Sequence, residues 1–263
     1  MIMPSDAVEV RVDGPVATVL LNRPDYGNAL TRAMMAELRQ ALSDLHLEKR
    51  VRAVILTGAG ETFCMGREPA ELAAGDDPMA DLVRWGQEAE EYRELLVAML
   101  ELPKPLIAAV NGPAAAGGAG LVLGCDTVIA SEQATFGFTE PKRGSVAGVA
   151  GPLLAHRAGA GVAARLLVTA TTIAAAEAHR IGIYHELVAH DLIWARAFAL
   201  GNECATAAPQ AVQLTKRLLY ETVGEQLGTQ LTNGAVASAT SRTTDSAKEG
   251  IAAELEGREP EWP

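Results

Sequence analysis

A chain of 263 residues, 49% of them apolar, can bury a sizeable core, which excludes a disordered chain. A net charge of −11 argues against nucleic acid as a partner, because a polyanion needs a basic face. Three cysteines far apart, Cys64, Cys125 and Cys204, give neither a disulfide framework nor a C-x-x-C metal pair, so a reducing cytoplasm is expected.

The first residues, MIMPSDAVEV, are acidic and lack an apolar stretch, so no signal peptide is expected. No apolar run reaches the length of a membrane span, so no membrane partner is expected. Residues 8–12 and 16–21 read as two strands joined by Asp13, Gly14 and Pro15. Thr31 has the chemistry of a helix N-cap. Met34, Met35, Leu38, Ala41, Leu42 and Leu45 follow at helical spacing. Residues 53–57 read as a buried strand, and residues 61–69 as a loop. A helix over 71–101 is expected, interrupted around 75–78 by Gly75, Asp76, Asp77 and Pro78. Residues 126–130 and 134–136 read as short strands. From residue 148 onward the pattern is mostly helical. The expectation is an α/β core over residues 1–200 and a helical part over 201–263.

Residues 103–126, PKPLIAAVNGPAAAGGAGLVLGCD, organise the rest. A buried strand at 106–110 runs into the turn Asn111, Gly112, Pro113, and small residues then open a helix. Strand, glycine-rich turn and helix start aim backbone N–H groups at whatever sits above the turn. Gly117 and Gly118 let a ligand approach the backbone closely. The place suits a negative oxygen, and the turn alone leaves open whether that is a phosphate or an enolate.

Other chemistries fit poorly. Gly58 and Gly60 follow a strand, but Phe63 stands where a dinucleotide fingerprint needs its third glycine, and no P-loop is present. Ser145 is out of place for G-x-S-x-G. His179, His185 and His190 are spaced six and five apart, which shares no helix face, so surface or capping roles are expected and no metal site. A carboxylate remains. Glu140 follows an apolar strand in FGFTEPKRG, and by residue type alone it reads equally as a solvated turn residue.

Five blocks in order decide the matter: residues 19–30 (VLLNRPDYGNAL), 54–68 (VILTGAGETFCMGRE), 103–126, 134–148 (ATFGFTEPKRGSVAG) and D-x-x-x-E-G at 245–250. With them the chain resembles the enoyl-CoA hydratase/isomerase, or crotonase, family. The resemblance implies repeated ββα units, a helical C-terminal trimerisation part, and a homotrimer or hexamer. It also implies an acyl-CoA thioester substrate, no metal, and no cofactor beyond the coenzyme A carried by the substrate. The oxyanion donors it implies are the backbone N–H groups of Arg67 and Gly117, aimed at a thioester oxygen that takes up enolate charge. Substrate contacts are implied at Asp25, Ala29, Met65, Gly66, Glu68, Gly112 and Thr139.

The sequence departs from the family pattern in three places. The two catalytic acids fall on Gly120 and Glu140, so one is missing. Arg67 and Glu68 stand where the family commonly has Ala-Asp. Glu254 and Gly257 stand where a Phe and a Lys usually flank the CoA adenine, with Arg258, Lys142 and Arg143 as nearby cations. A lone acid suits a 1,3 proton shift, while one glutamate delivering both parts of a water keeps hydration open. Thioester or C–C hydrolysis and a catalytically degenerate CoA-binding subunit are the alternatives. Glu68, Asp76, Asp77 and Asp81 are the reserve candidates for a second acid, and a glutamate introduced at position 120 tests whether the missing acid limits hydration. Met65, Trp85 and Phe138 are candidates for the acyl pocket, with core packing the equal alternative.

Overall fold

The computed structural model describes residues 7–263, except the side chains of 222–225; residues 1–6, read above for a leader, lie outside it. Strands β1 (Val8–Asp13) and β2 (Val16–Leu21) form an antiparallel hairpin. Helix α1 (Arg32–Leu47) starts where expected: the Thr31 hydroxyl accepts the Met34 N–H at 3.1 Å. Its six predicted apolar residues are the ones it buries. Strand β3 (Ala53–Gly58) follows.

The expected interruption is real. Helix α2 (Pro69–Leu72) is one turn long, and α3 (Pro78–Glu101) begins again at Asp77, whose carboxylate accepts the Met79 and Ala80 N–H groups. Strand β4 (Leu106–Val110) leads through a two-residue strand β5 (Ala114–Ala115) into α4 (Gly117–Gly124). Strands β6 (Thr127–Ser131) and β7 (Thr135–Gly137) come next. Helices α5 (Ala150–Ala158) and α6 (Ala160–Thr169) follow, then strand β8 (Ile173–Ala174), helix α7 (Ala175–Arg180) and strand β9 (Glu186–Val188). The chain closes with α8 (Ile193–Ala205), the long α9 (Pro209–Ser241) and α10 (Asp245–Glu256).

The large sheet has the order β1-β2-β3-β4-β6-β9, parallel from β2 onward. The small sheet is β5-β7-β8. A strand of the large sheet is therefore followed by one of the small sheet and then a helix, as in β4-β5-α4, the ββα repeat implied by the resemblance. Strands β3 and β4 are buried throughout, as parallel strands covered on both faces must be. Their side chains alternate. Ile55, Ile107, Ala109 and Ile129 pack on Ile193 and Ala197 of α8, whereas Val54, Leu56, Leu106 and Ala108 join the main core under α1 and α3.

Two features depart from the sequence expectation. Strands β8 and β9 lie inside the stretch read as helical, and β9 is the sixth strand of the large sheet. Both are too short to carry a period. His179 and His185 also find structural partners: His185 Nδ1 accepts the Val128 N–H at 2.8 Å, and His179 Nδ1 lies 2.8 Å from the Tyr184 carbonyl. No group of metal-binding side chains forms among the described residues.

Candidate active site

The loop at residues 58–68 is irregular, yet it is fixed from three sides. Asn28, fully buried, donates from Nδ2 to the carbonyls of Ala59 and Thr62. Asn111 donates to the Gly60 carbonyl at 2.7 Å and accepts the Gly58 N–H at 3.2 Å. Farther along, the Phe63 and Cys64 N–H groups both donate to the Pro113 carbonyl, and Ala115 N–H donates to Cys64 O at 2.9 Å. On the opposite side Leu30 N–H donates to Gly66 O and Glu68 N–H to Leu30 O. Arg67 lies between those last two bonds, and its own N–H makes no backbone hydrogen bond among the described residues.

Gly66 has φ +101° and could not be replaced without strain: a Cβ there would stand 2.7 Å from Ala116 Cβ and 3.0 Å from Gly117 N. The same closeness brings Arg67 to Gly117, where a Cβ would lie 3.3 Å from Arg67 Cγ. Ala116 is itself held at φ 50°, ψ −124°, with its N–H bonded to Gly137 O at 2.9 Å. Such a conformation persists only where surroundings over-determine it. It turns the chain so that Gly117 starts α4, whose first N–H groups have no intrahelical partner. Helix α4 is buried on every side, which is why it is built of small and aliphatic residues.

Arg67, Gly117 and Glu140 line one cavity of about 40 Å³. Glu140 opens a 3-10 turn, Glu140–Arg143. Its Oε2 is buried with no hydrogen-bond partner among the described residues. Burial pushes the Glu140 carboxyl up, and Arg143 and Arg67 oppose that more weakly. The Thr139 hydroxyl next to it is likewise buried and unpartnered.

Position 120 is not simply vacant of an acid. Tyr92 of α3, 3% exposed, donates its hydroxyl to Gly117 O at 2.7 Å. A Cβ on Gly120 would stand 1.9 Å from that hydroxyl and 3.0 Å from Ala150 Cβ. A glutamate at 120 therefore requires the Tyr92 hydroxyl to shift.

The remaining sequence candidates separate into two groups. Gly66 and Thr139 adjoin the cavity. Asp25, Ala29, Met65 and Glu68 gather outside it around Arg23. Arg23 donates to Ala29 O at 2.5 Å, pairs with Glu68 at 3.1 Å, and stacks over the Tyr26 ring at 4.7 Å. Asp25 is exposed in the turn Pro24–Tyr26, and Met65 is 39% exposed against Gly27. Gly112 is buried at the turn, where a Cβ would meet Glu61 O at 1.8 Å. Trp85 and Phe138 are core residues, 3% and 0% exposed, and Trp85 donates to Leu72 O. Among the reserve acids, Asp81 is tied to Arg84 and Gly75 N–H, and Asp77 caps α3. Near the C-terminus, Glu254 pairs with Arg143 at 2.7 Å, and Arg258 with Glu249 at 2.5 Å.

Sequence reasoning missed Tyr92, Glu88 and Arg242. Glu88, 2% exposed, lies 2.9 Å from Arg67 and 2.5 Å from Arg242. Its signal was present: it stands in the buried stripe Trp85, Ala89, Tyr92, Leu96, Met99 of α3, where a charge is out of place.

Fold and site define an α/β protein with one small cavity lined by Arg67 and Gly117, whose N–H groups have no backbone partner among the described residues, and by a buried carboxylate. The model of the enoyl-CoA hydratase/isomerase family matches residues 11–263. A Thermus thermophilus protein provisionally named an enoyl-CoA hydratase is 40% identical over 255 residues, which is 95% of this chain and 98% of that one. A short-chain-enoyl-CoA hydratase from Clostridium acetobutylicum is 33% identical over 252 residues, 95% of this chain and 94% of that one. The crystal structure of an enoyl-CoA hydratase/isomerase from Mycobacterium paratuberculosis superposes with TM-score 0.86 at 26% identity, over 94% of this chain and 98% of that one. The chain belongs to the enoyl-CoA hydratase/isomerase (crotonase) family and is an acyl-CoA-processing enzyme of hydratase or isomerase type. No helix among the described residues is long and apolar enough to cross a membrane.

Proposed function

We propose that this enzyme moves a proton along a short acyl-CoA thioester through an enolate, with Glu140 as the sole acid/base. The thioester oxygen sits between the N–H groups of Arg67 and Gly117. These donors are fixed before substrate arrives, so they take up negative charge without reorganising. Glu140 removes a proton from C2 or C4 and returns it to the other position, a 1,3 shift that needs one carboxylate. The observation that carries this reading is that Glu140 is the one carboxylate among the residues lining the cavity, while the Tyr92 hydroxyl occupies the space beside Gly120. Burial raises the Glu140 carboxyl, which favours its holding the proton between abstraction and return.

Hydration is the second reading, favoured by the names of the relatives. Here Glu140 would supply both parts of one water to the double bond. A homotrimer or hexamer is the assembly that goes with either reading. Assaying 2-enoyl- and 3-enoyl-CoA thioesters side by side separates them. Interconversion of the two enoyl isomers, faster than loss of the crotonyl-CoA absorbance to the hydrated product, is the expected result. Hydration faster than isomerisation would sink the single-acid isomerase.

A further inference from the structure

We infer that the acyl group this enzyme takes carries its own carboxylate, bound inside the cavity by Arg67 and Arg242; this rests on the thioester placement proposed above. Three arginines line the cavity: Arg67, Arg143 and Arg242. Arg143 has a carboxylate of its own, Glu254, at 2.7 Å. Arg67 and Arg242 have only Glu88 between them, one oxygen each, at 2.9 and 2.5 Å. Glu88 is thus the shared salt-bridge partner of both, in a cluster where Glu71, Glu91 and Arg32 also act on its charge.

Both arginines are deep. Their side chains are 13% and 2% exposed, and Glu88 is 2% exposed. A buried charge without a counter-ion costs far more than a surface one. Arg67 Nη1, moreover, meets Glu88 without hydrogen-bond geometry and has no other hydrogen-bond partner among the described residues. An incompletely hydrogen-bonded guanidinium, seated over the Tyr92 ring at 5.5 Å, therefore lines the cavity that holds Glu140.

Among the described residues Glu140 is the one carboxylate lining the cavity, and the reaction assigned to it needs its oxygens free to take and return a proton. A substrate carboxylate is the group that fits, since a guanidinium presents paired donors to it. Geometry agrees with a short acyl chain. Arg67 donates at the thioester oxygen through its backbone and reaches a distal carboxylate through its side chain, so one residue sets both ends.

The test compares two saturated, unreactive thioesters of equal chain character, glutaryl-CoA and butyryl-CoA, by titration calorimetry on the wild-type enzyme. Glutaryl-CoA is expected to bind tighter by on the order of 10-fold or more, the worth of a hydrogen bond to a charged group. Arg67→Gln, which keeps the backbone donor, should erase most of that preference, and Arg242→Gln should do the same if the first variant does not fold. Equal or weaker binding of glutaryl-CoA to the wild type overturns the inference, as does a preference that survives in a folded Arg67→Gln and Arg242→Gln pair. Because neither ligand reacts, a failure of the proton-transfer reading shows separately, as no turnover of any enoyl thioester.

Discussion

On one side of the cavity stand Ala116 and Gly117, in a run of alanine and glycine over residues 114–120 whose only polar groups are backbone. On the other, α3 and the end of α9 bring buried Glu88 and Arg242, and α10 brings Glu254 to Arg143. The first side is precise because nothing on it can rotate: its donors are fixed by Gly66 at φ +101° and Ala116 at φ 50°. The second side consists of long side chains whose positions depend on one another through shared carboxylates. The difference teaches that reaction chemistry and substrate choice can reside on separate walls. Backbone changes should cost turnover, and charge changes should cost stability and selectivity.

The sharpest way to break this comparison is Glu140→Gln, which keeps the size of the side chain but ends proton transfer. Turnover should fall roughly 100- to 10,000-fold, with binding of an unreactive acyl-CoA retained. Glu68→Gln, at a carboxylate outside the cavity, should leave turnover near wild type; the reverse outcome would move the acid to Glu68. The pH profile follows from the raised Glu140 carboxyl. Proton abstraction needs the ionised form, so its acid limb should have a midpoint above the usual carboxylate range and vanish in Glu140→Gln. Stability has the matching sign. The folded protein holds this proton more tightly than the unfolded chain. Its contribution is therefore present below the unfolded pKa and lost as pH rises through the folded one.

Gly66→Ala tests the backbone wall. The added Cβ meets Ala116 Cβ and Gly117 N at a φ that L residues avoid. Misplacing one donor should cost on the order of 100- to 1,000-fold in kcat. A folded Gly66→Ala enzyme with full turnover would show that the site of charge development lies elsewhere.

Glu88→Gln tests the charged wall. Removing the shared partner leaves two buried guanidinium groups, so urea unfolding should report a loss of about 3–5 kcal/mol. A loss below about 1 kcal/mol would mean the pair behaves like a surface ion pair.

Gly120→Ala joins the walls and should have the smallest effect. The new methyl would stand 1.9 Å from the Tyr92 hydroxyl, so an overpacking cost of about 1–3 kcal/mol is expected. Tyr92→Phe removes that oxygen and should recover part of the loss in a double-mutant cycle. No coupling between the two would mean that Tyr92 does not occupy the space beside Gly120.

Local signals in the sequence determined the hairpin β1-β2, the capped helix α1 with its six buried residues, the restart of α3 at Asp77, and the strand β4 with its turn. Each depends on residues within a few positions of one another: a hydroxyl at an N-cap, a 3.6 period, a proline at a first turn. The same locality made Arg67, Gly117 and Glu140 legible as candidates, because they sit in short ordered blocks. Tertiary structure alone decided the rest. Strand β5 is two alanines, a residue poor at forming sheet, and exists because β7 and Cys64 pair with it from either side. Strand β9 has three residues and is defined by β6. Glu88 and Arg242 are 154 positions apart, and their pairing depends on α9 folding back over α3. The space beside Gly120, which the sequence shows only as a missing acid, is filled by the Tyr92 hydroxyl. A sequence records what each residue can do alone, but which buried charge meets which, and which side chain fills a glycine's space, is set by contacts between distant segments.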